Sequence, residues 1–540
     1  MADRKRVVIL GGGFAGVYAA KYLEKALGRK DDFEIILLSK ENYFVFQPML
    51  PELISGTIGL LDIVCPLRPL LPKTNVQSRE VESIDLAAQT ITTRHGFRAK
   101  PHVVPYDHLV VALGNVTDFR GMRGLPEHAM PFKNLADAIH LRNHVIRALE
   151  EAAIEVEDEE LRKQLLTFVI AGGGFSGVEV AAELNDFVRT VARSYRGINP
   201  SDIRVVLVHS QGRILPEVSE SLGNFAQKIL QKRGVELMLN TRLDAATSEH
   251  AILANGQVIP TRTLVSTVPS SPHPLVESLA LPKNKPGKIK VKNTLSVEGF
   301  KNIWALGDCA LVPEPFTDGF CPPTAQHAIR QGKTVANNIV AEIRGGRQLA
   351  FDFGGLGKMG SLGHHSAVAD IMGLNISGFL AFAMWRAIYL MKLPGWGRRL
   401  KVATSWMLDF VLPPELTELK LAASSGIAEQ HYEPGEEVFH QGELGDRMYI
   451  ILAGRAEVVR SDNGVERVLA KLGPGEYFGE MALLQKATRN ATIRCTEPMN
   501  TLSIPQKEFN VLSSSLPQLK KSFEQKIETR EERSAATKVG

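Results

Sequence analysis

Short aliphatic runs, each followed by glycines and then by an alanine-rich stretch with helical spacing, dominate the first half of the chain. VVIL, from Val7, runs into GGGFAGVYAAKYL, and FVIA, from Phe168, runs into GGGFSGVEVAAEL. Each predicts a buried strand, a tight turn and a helix. A further strand-like run follows each, EIILL at 34–38 and RVVLV at 204–208. Two α/β units, each wound about a parallel sheet, are therefore expected. The charged stretch 152–164 reads as a solvent-facing helix. Residues 371–391 carry one charge, Arg386, and come close to the roughly 20 apolar residues that span a bilayer. Next, Trp396, Leu400, Ala403, Trp406, Met407, Phe410 and Val411 recur at steps of three and four. Arg398, Arg399, Lys401, Thr404, Ser405 and Asp409 fill the other face, which predicts a basic amphipathic helix suited to an anionic membrane surface. After Pro413 and Pro414, short β runs alternate with glycine turns, as in a small antiparallel barrel or jelly roll. The end, 520–540, is charged and reads as a helix fraying into a tail.

Composition narrows the classes. The 540 residues hold 63 Lys+Arg against 59 Asp+Glu, a net +4. That balance is too even for a nucleic-acid binder, so no such partner is expected. The four cysteines, Cys65, Cys309, Cys321 and Cys495, form no CxxC pair, so neither a metal centre nor a dithiol redox motif is expected. With the first strand starting at Val7, a secretory leader is not expected, and the chain reads as cytoplasmic.

The glycines carry specific chemistry. Gly11 allows the tight turn, Gly13 clears the approach of a pyrophosphate, and Gly16 lets helix and sheet pack closely. Phosphates then meet N–H groups at a helix start. Gly172, Gly174 and Gly177 repeat the pattern, with Phe175 and Ser176 between them as Phe14 and Ala15 are in the first turn. The acid usual at the end of the following strand is missing from both units. Ser39, followed by Lys40, stands there in the first and His209 in the second. With no carboxylate to repel a 2′-phosphate and with Arg213 near, NADH and NADPH both remain open.

NIWALGDCA adds Asp308 after a strand, and YDHLVVALG ends at Ala112 and Gly114. With two glycine turns already present, these resemble the markers of the two-dinucleotide-binding-domain flavoproteins. The resemblance implies FAD on the first unit, its ribitol bonded by Asp308, and NAD(P)H on the second. The absence of a cysteine pair excludes the disulfide reductases of that superfamily. ENYFVFQPML (41–50), GVEVAAEL, CPPTAQHAIRQG (321–332) and FDFGGLGKMGSLG (351–363) resemble the type II NADH dehydrogenases, which pass electrons from NADH to quinone without pumping protons. That implies a flavin and quinone region at Gln47, Pro48, Ala325 and Gln326, and Glu179 between nicotinamide and flavin. It also implies peripheral, monotopic attachment to the cytoplasmic side of the cell membrane, and leaves room for a homodimer. One departure is Arg330, where the family has a second Gln; Gln331 follows it.

FGEMALLQKATRNATIRC resembles the cyclic-nucleotide-binding domain of kinase regulatory subunits and bacterial catabolite activators. The helix start at Gly479, Glu480 for a ribose hydroxyl and Arg489 for the cyclic phosphate fit a cyclic nucleotide. Asn490 and Ala491 complete the segment and leave cAMP against cGMP open. The expected domains are FAD-binding 1–118 and 292–345, NAD(P)H-binding 160–285, membrane-associating 346–412, cyclic-nucleotide-binding 415–530 and a tail 531–540. The expected activity is FAD-dependent NAD(P)H:quinone oxidoreduction, regulated by a cyclic nucleotide. The alternatives are a soluble NAD(P)H oxidase or diaphorase and a non-catalytic flavin and cyclic-nucleotide sensor.

Overall fold

A computed structural model describes residues 4–27, 32–94, 101–119, 122–268, 270–409, 412, 415–418, 428–462, 465–485, 488–506 and 508–510. Phe410, Val411, Pro413, Pro414 and the tail from 520 lie outside the described residues. The chain divides into two compact units, residues 1–78 with 106–419, and 79–105 with 420–540.

In the first unit, each glycine turn leaves a central strand of a five-stranded parallel sheet. Lys5–Leu10 lies between Phe33–Ser39 and His108–Val111, with Ile303–Ala305 and Asn75–Ser78 at the edges. Thr167–Ala171 lies between Arg204–Val208 and Thr263–Ser266, with Ala129–Pro131 and Val235–Met238 at the edges. Val7–Leu10 and Thr167–Ala171 are buried throughout. Aliphatic runs without alternation are what a sheet covered on both faces requires.

The expected charged helix over 152–164 is two pieces. Leu135–Ile154 ends there, and Glu159–Leu165 restarts behind Asp158, whose side chain accepts from Leu161 N at 2.9 Å. The apolar run 371–391 is likewise not one element. Its first residues close the antiparallel sheet Lys358–Ser361, Ala367–Ile371, Leu374–Gly378, and the helix is Phe379–Lys392. Gly373, at φ 84°, turns the hairpin between Ile371 and Leu374. The remaining 14 residues rise about 21 Å, short of a hydrocarbon core of about 30 Å. Among the described residues no helix is long and apolar enough to cross a membrane.

The helix Trp396–Leu408 corrects the amphipathic assignment in part. Val402 and Trp406 turn inward and are buried, while Trp396, Leu400 and Met407 are exposed. Trp406 is held by a hydrogen bond from its Nε1 to Glu52 Oε2 at 2.7 Å.

The second unit has two four-stranded antiparallel sheets, Ala428–Tyr432, Met499–Pro505, Arg447–Ala453, Tyr477–Phe478 and Glu437–Phe439, Thr492–Cys495, Ala456–Asp462, Val465–Leu472. Phe439, Tyr449, Ile451, Phe478, Ile493 and Met499 form its core. A three-stranded sheet, Val81–Asp85, Thr90–Thr93, His102–Pro105, groups with it although it falls within the expected 1–118 segment. Arg94 Nη2 donates to Gln506 Oε1 at 3.2 Å.

Candidate functional site

At the first turn Gly11 sits at φ 106°, and its N–H bonds Leu38 O at 2.9 Å. A Cβ on Gly16 would lie 2.0 Å from Gly11 O, so helix Phe14–Leu27 packs directly on the turn. A Cβ on Gly13 would meet nothing within 4 Å. Open space there, facing helix N–H groups without intrahelical partners, fits a diphosphate. Ser39 is buried, its Oγ 2.5 Å from a Cβ built on Gly12. The Gly307–Cys309 turn brings Asp308 in, since a Cβ on Gly307 would lie 3.0 Å from that of Ala15. Burial raises the Asp308 carboxyl, against the pull of Lys133 and Lys288. This cradle and its single carboxylate suit FAD.

The helix Ala325–Arg344 packs tightly on the first helix, a Cβ on Gly332 falling 2.8 Å from Ala19 N. Gln326 is a fastener. Its Nε2 donates to Gly357 O at 3.0 Å, and its Oε1 accepts from Leu356 N at 3.0 Å. Arg330 lies 3.9 Å over the Phe353 ring and donates to Gln326 O at 3.1 Å. Gln331 Oε1 accepts from Gly307 N at 2.8 Å, steadying the Asp308 turn. Exposed Gln47 reaches Lys133 O at 3.4 Å. Phe14, Phe46, Tyr389 and Trp385 follow one another, with centroid spacings of 5.8, 6.0 and 4.8 Å. Tyr389 on the helix Phe379–Lys392 was missed from sequence because that run looked like bulk apolar text.

At the second turn Gly172 sits at φ 119° and Gly174 precedes helix Phe175–Val191. Gly173 N donates to His209 Nδ1 at 3.1 Å, which lays the buried imidazole on the turn. Two readings are corrected here. Arg213 is spent on Leu215 O, Ser219 O and Val218 O at 3.1, 3.1 and 3.2 Å. A carboxylate does stand nearby, since Glu217 Oε1 is 2.9 Å from a Cβ built on Gly174. Eight residues past His209, it lies outside the position where that acid is usual.

The second turn's helix and the helix Ala325–Arg344, which packs on the first turn's helix, meet at residues 356–361. Gly357 O takes Gln326, while Phe175 and Glu179 contact the space a Cβ on Gly360 would fill, at 2.5 and 3.5 Å. Glu179 Oε1 accepts from Ser361 N at 3.1 Å, and desolvation pushes its carboxyl up to about 8. Two buried acids stand behind it. Glu183 Oε2 accepts from Ser55 Oγ at 2.8 Å and is pushed up to about 8, and Glu52 to about 7, both mainly by burial. All four cysteines are free; Cys65, Cys309 and Cys495 are buried, and the Cys321 thiol is pushed up to about 12 by burial.

In the second unit Gly479, at φ 88°, opens the short helix Glu480–Gln485. Glu480 and Arg489 are both buried. The guanidinium donates to Gly479 O and Arg447 O, each at 2.7 Å, and lies 4.0 Å over Phe439. Its Nε is buried with no partner among the described residues. Asn490 is exposed and Ala491 buried.

The pyridine nucleotide-disulphide oxidoreductase family model matches residues 5–332, an NDH2 C-terminal domain 356–412, and a cyclic nucleotide-binding domain 429–515. A type II NADH:quinone oxidoreductase of Mycobacterium tuberculosis is 31% identical over 428 residues, covering 76% of this chain and 88% of that protein. One of Staphylococcus aureus is 30% identical over 391 residues, covering 72% and 94%. The solved structure of NDH2 from Plasmodium falciparum in complex with NADH superimposes with a TM-score of 0.71 at 19% identity, over 77% of this chain and 100% of that one. The paired glycine turns, the lone cysteines and these relatives agree: the chain belongs to the type II NADH:quinone oxidoreductases of the pyridine nucleotide-disulphide oxidoreductase family, and carries a cyclic nucleotide-binding domain behind the dehydrogenase.

Proposed function

We propose that this chain oxidises NADH and reduces a membrane quinone, with FAD at the first glycine turn and the nicotinamide nucleotide at the second. The observation that carries this is the convergence on residues 356–361 of two helices: Ala325–Arg344, packed on the first turn's helix, through Gln326, and the second turn's own helix through Phe175 and Glu179. Bound FAD supplies the two-electron chemistry between the nucleotide and the quinone. Gly11, Gly13, Phe14, Ala15, Gly16, Ser39 and Lys40 form one side of its cradle; Ala112, Gly114, Asp308 and Ala325 form the other. Gly172, Gly174, Phe175, Ser176, Gly177 and His209 hold the nicotinamide nucleotide. Gln326 and Arg330 act by fixing the loop at Gly357, and Gln47 lines the quinone side with Tyr389.

Quinone reduction consumes protons. Glu179, raised to about 8, keeps its proton at neutral pH. Its Oε1 already accepts from Ser361 N, so Oε2 is the oxygen that holds and gives up the proton. Anaerobic NADH should bleach the purified protein's flavin absorption, and a quinone should restore it faster than dioxygen does. Bleaching followed by recovery only with dioxygen would instead favour the oxidase.

Membrane attachment rests on Phe379, Leu380, Met391, Trp396, Leu400 and Met407, all exposed, on two successive helices. Lys392, Arg399 and Lys401 are exposed beside them, as anionic lipid would favour. Burying one large apolar side chain is worth about 1.5–3 kcal/mol. The double substitution Trp396→Ser, Leu400→Ser should therefore weaken binding to anionic vesicles by at least about tenfold at unchanged flavin content. Unchanged sedimentation with vesicles would reject this face.

The second unit is read as binding a cyclic nucleotide, the buried Glu480 meeting a ribose hydroxyl and Arg489 Nε the phosphate beside Gly479, with Asn490 and Ala491 flanking them. Occupancy is read as changing turnover, which requires different affinity for two states of the enzyme. Equal rates with and without saturating cAMP and cGMP would remove that second step.

A further inference from the structure

The loop after Arg204–Val208 ends far from where it starts in sequence but returns to the glycine turn. His209, at its first position, lies against Gly173 and accepts from its N–H. Glu217 comes back to Gly174, the residue before helix Phe175–Val191, with Oε1 2.9 Å from a built Cβ. The Glu217 charge is felt by His209, whose imidazole burial otherwise keeps neutral. Three residues fix this return through five hydrogen bonds. Arg213 spans the loop's own carbonyls at 215, 218 and 219. Leu215 N bonds Gly173 O at 2.7 Å, and Lys358 Nζ donates to Glu217 O at 2.6 Å.

A loop stapled in this way presents a carboxylate where the strand end supplies none. We propose that the exposed Glu217 side chain swings off Gly174 as the diphosphate enters and selects NADH over NADPH, its carboxylate then accepting from the adenosine ribose of NADH and repelling the 2′-phosphate of NADPH. The inference rests on the nicotinamide nucleotide occupying the second turn. A carboxylate suits a ribose diol, while a phosphate beside it brings two like charges together. The one arginine close in sequence cannot neutralise that phosphate without releasing three carbonyls. Glu217 is solvent-exposed, so its replacement leaves the core untouched.

The test is calorimetric titration of the flavin-loaded protein with NAD+ and NADP+, neither of which can reduce the flavin. NAD+ should bind at least tenfold tighter than NADP+, and the ratio should shrink with added salt as the repulsion is screened. Glu217→Gln should bring the ratio close to one, chiefly by tightening NADP+; Glu217→Arg should invert it; Glu217→Asp should keep the preference. Equal binding of the two nucleotides by the wild type, or a ratio unmoved by Glu217→Gln, overturns the proposal. Binding of neither nucleotide overturns the reading of the second turn itself, and the proposal with it.

Discussion

Gly13→Val should yield a folded, colourless protein, whereas Gly16→Val should barely fold. A Cβ on Gly13 meets no protein atom within 4 Å, and Gly13 is not among the glycines at positive φ. Added bulk there is blocked by a ligand, not by the chain. It would stand in the path of the FAD diphosphate and take away the approach to the helix N–H groups. Losing about 3–4 kcal/mol of binding lowers affinity by two to three orders of magnitude, enough to strip flavin during purification. At Gly16 the same atom would lie 2.0 Å from Gly11 O. Strand, turn and helix must then separate, at more than about 4 kcal/mol. Visible absorption and thermal unfolding of the two variants separate the cases. Full flavin occupancy in Gly13→Val would show that the first turn is not the FAD cradle.

The second expected result is a stability that falls with rising pH and is partly restored by Glu183→Gln. Glu52, Glu179 and Glu183 are raised from the ordinary value of 4.5 to about 7, 8 and 8. Burial is the largest cause in each. Glu52 raises the other two, Asp186 and Asp409 also raise Glu183, and Arg386 offsets Glu52. Between pH 4.5 and 8 the folded chain thus binds more protons than the unfolded one, so its stability declines as pH climbs through that window. Glu183→Gln removes one of these carboxyls, and its amide oxygen can still accept from Ser55. Wild type and variant should melt together near pH 5. At pH 8.5 the variant should gain about 2 kcal/mol or more, a few degrees in melting temperature. Parallel melting curves across pH would reject buried, mutually repelling acids.

The parts of the fold legible in the sequence are those whose signal is local. Val7–Gly16 and Phe168–Gly177 each hold strand, turn and helix start within a few residues, and the β runs after residue 428 carry their own turn glycines. What was hidden depends on contacts distant along the chain. Residues 371–391 read as one apolar span because hydropathy does not register a hairpin, and only pairing with 358–361 shows it. Trp406 and Trp396 share a periodicity yet face opposite environments, since Glu52 lies 354 positions from Trp406. Gln326 looked like an acceptor contact until Leu356 and Gly357 took both ends of its amide. Glu217 escaped because the acid was sought at a fixed offset, and a loop can deliver the same charge from elsewhere. Tyr389 and the grouping of 79–105 had no local signature.

The bond from Trp406 to Glu52 has a mechanical corollary. A helix lying loosely on its domain could swivel like a hinge, letting the body roll about its foot. Here the foot is bolted to the floor of the catalytic half, so rotation would strand an acid without its donor. Where the exposed face of that helix rests on a membrane, as proposed, contact with a flat layer sets the tilt and height of the dehydrogenase at once, and a lipid-dissolved molecule drifting in that layer meets the same doorway.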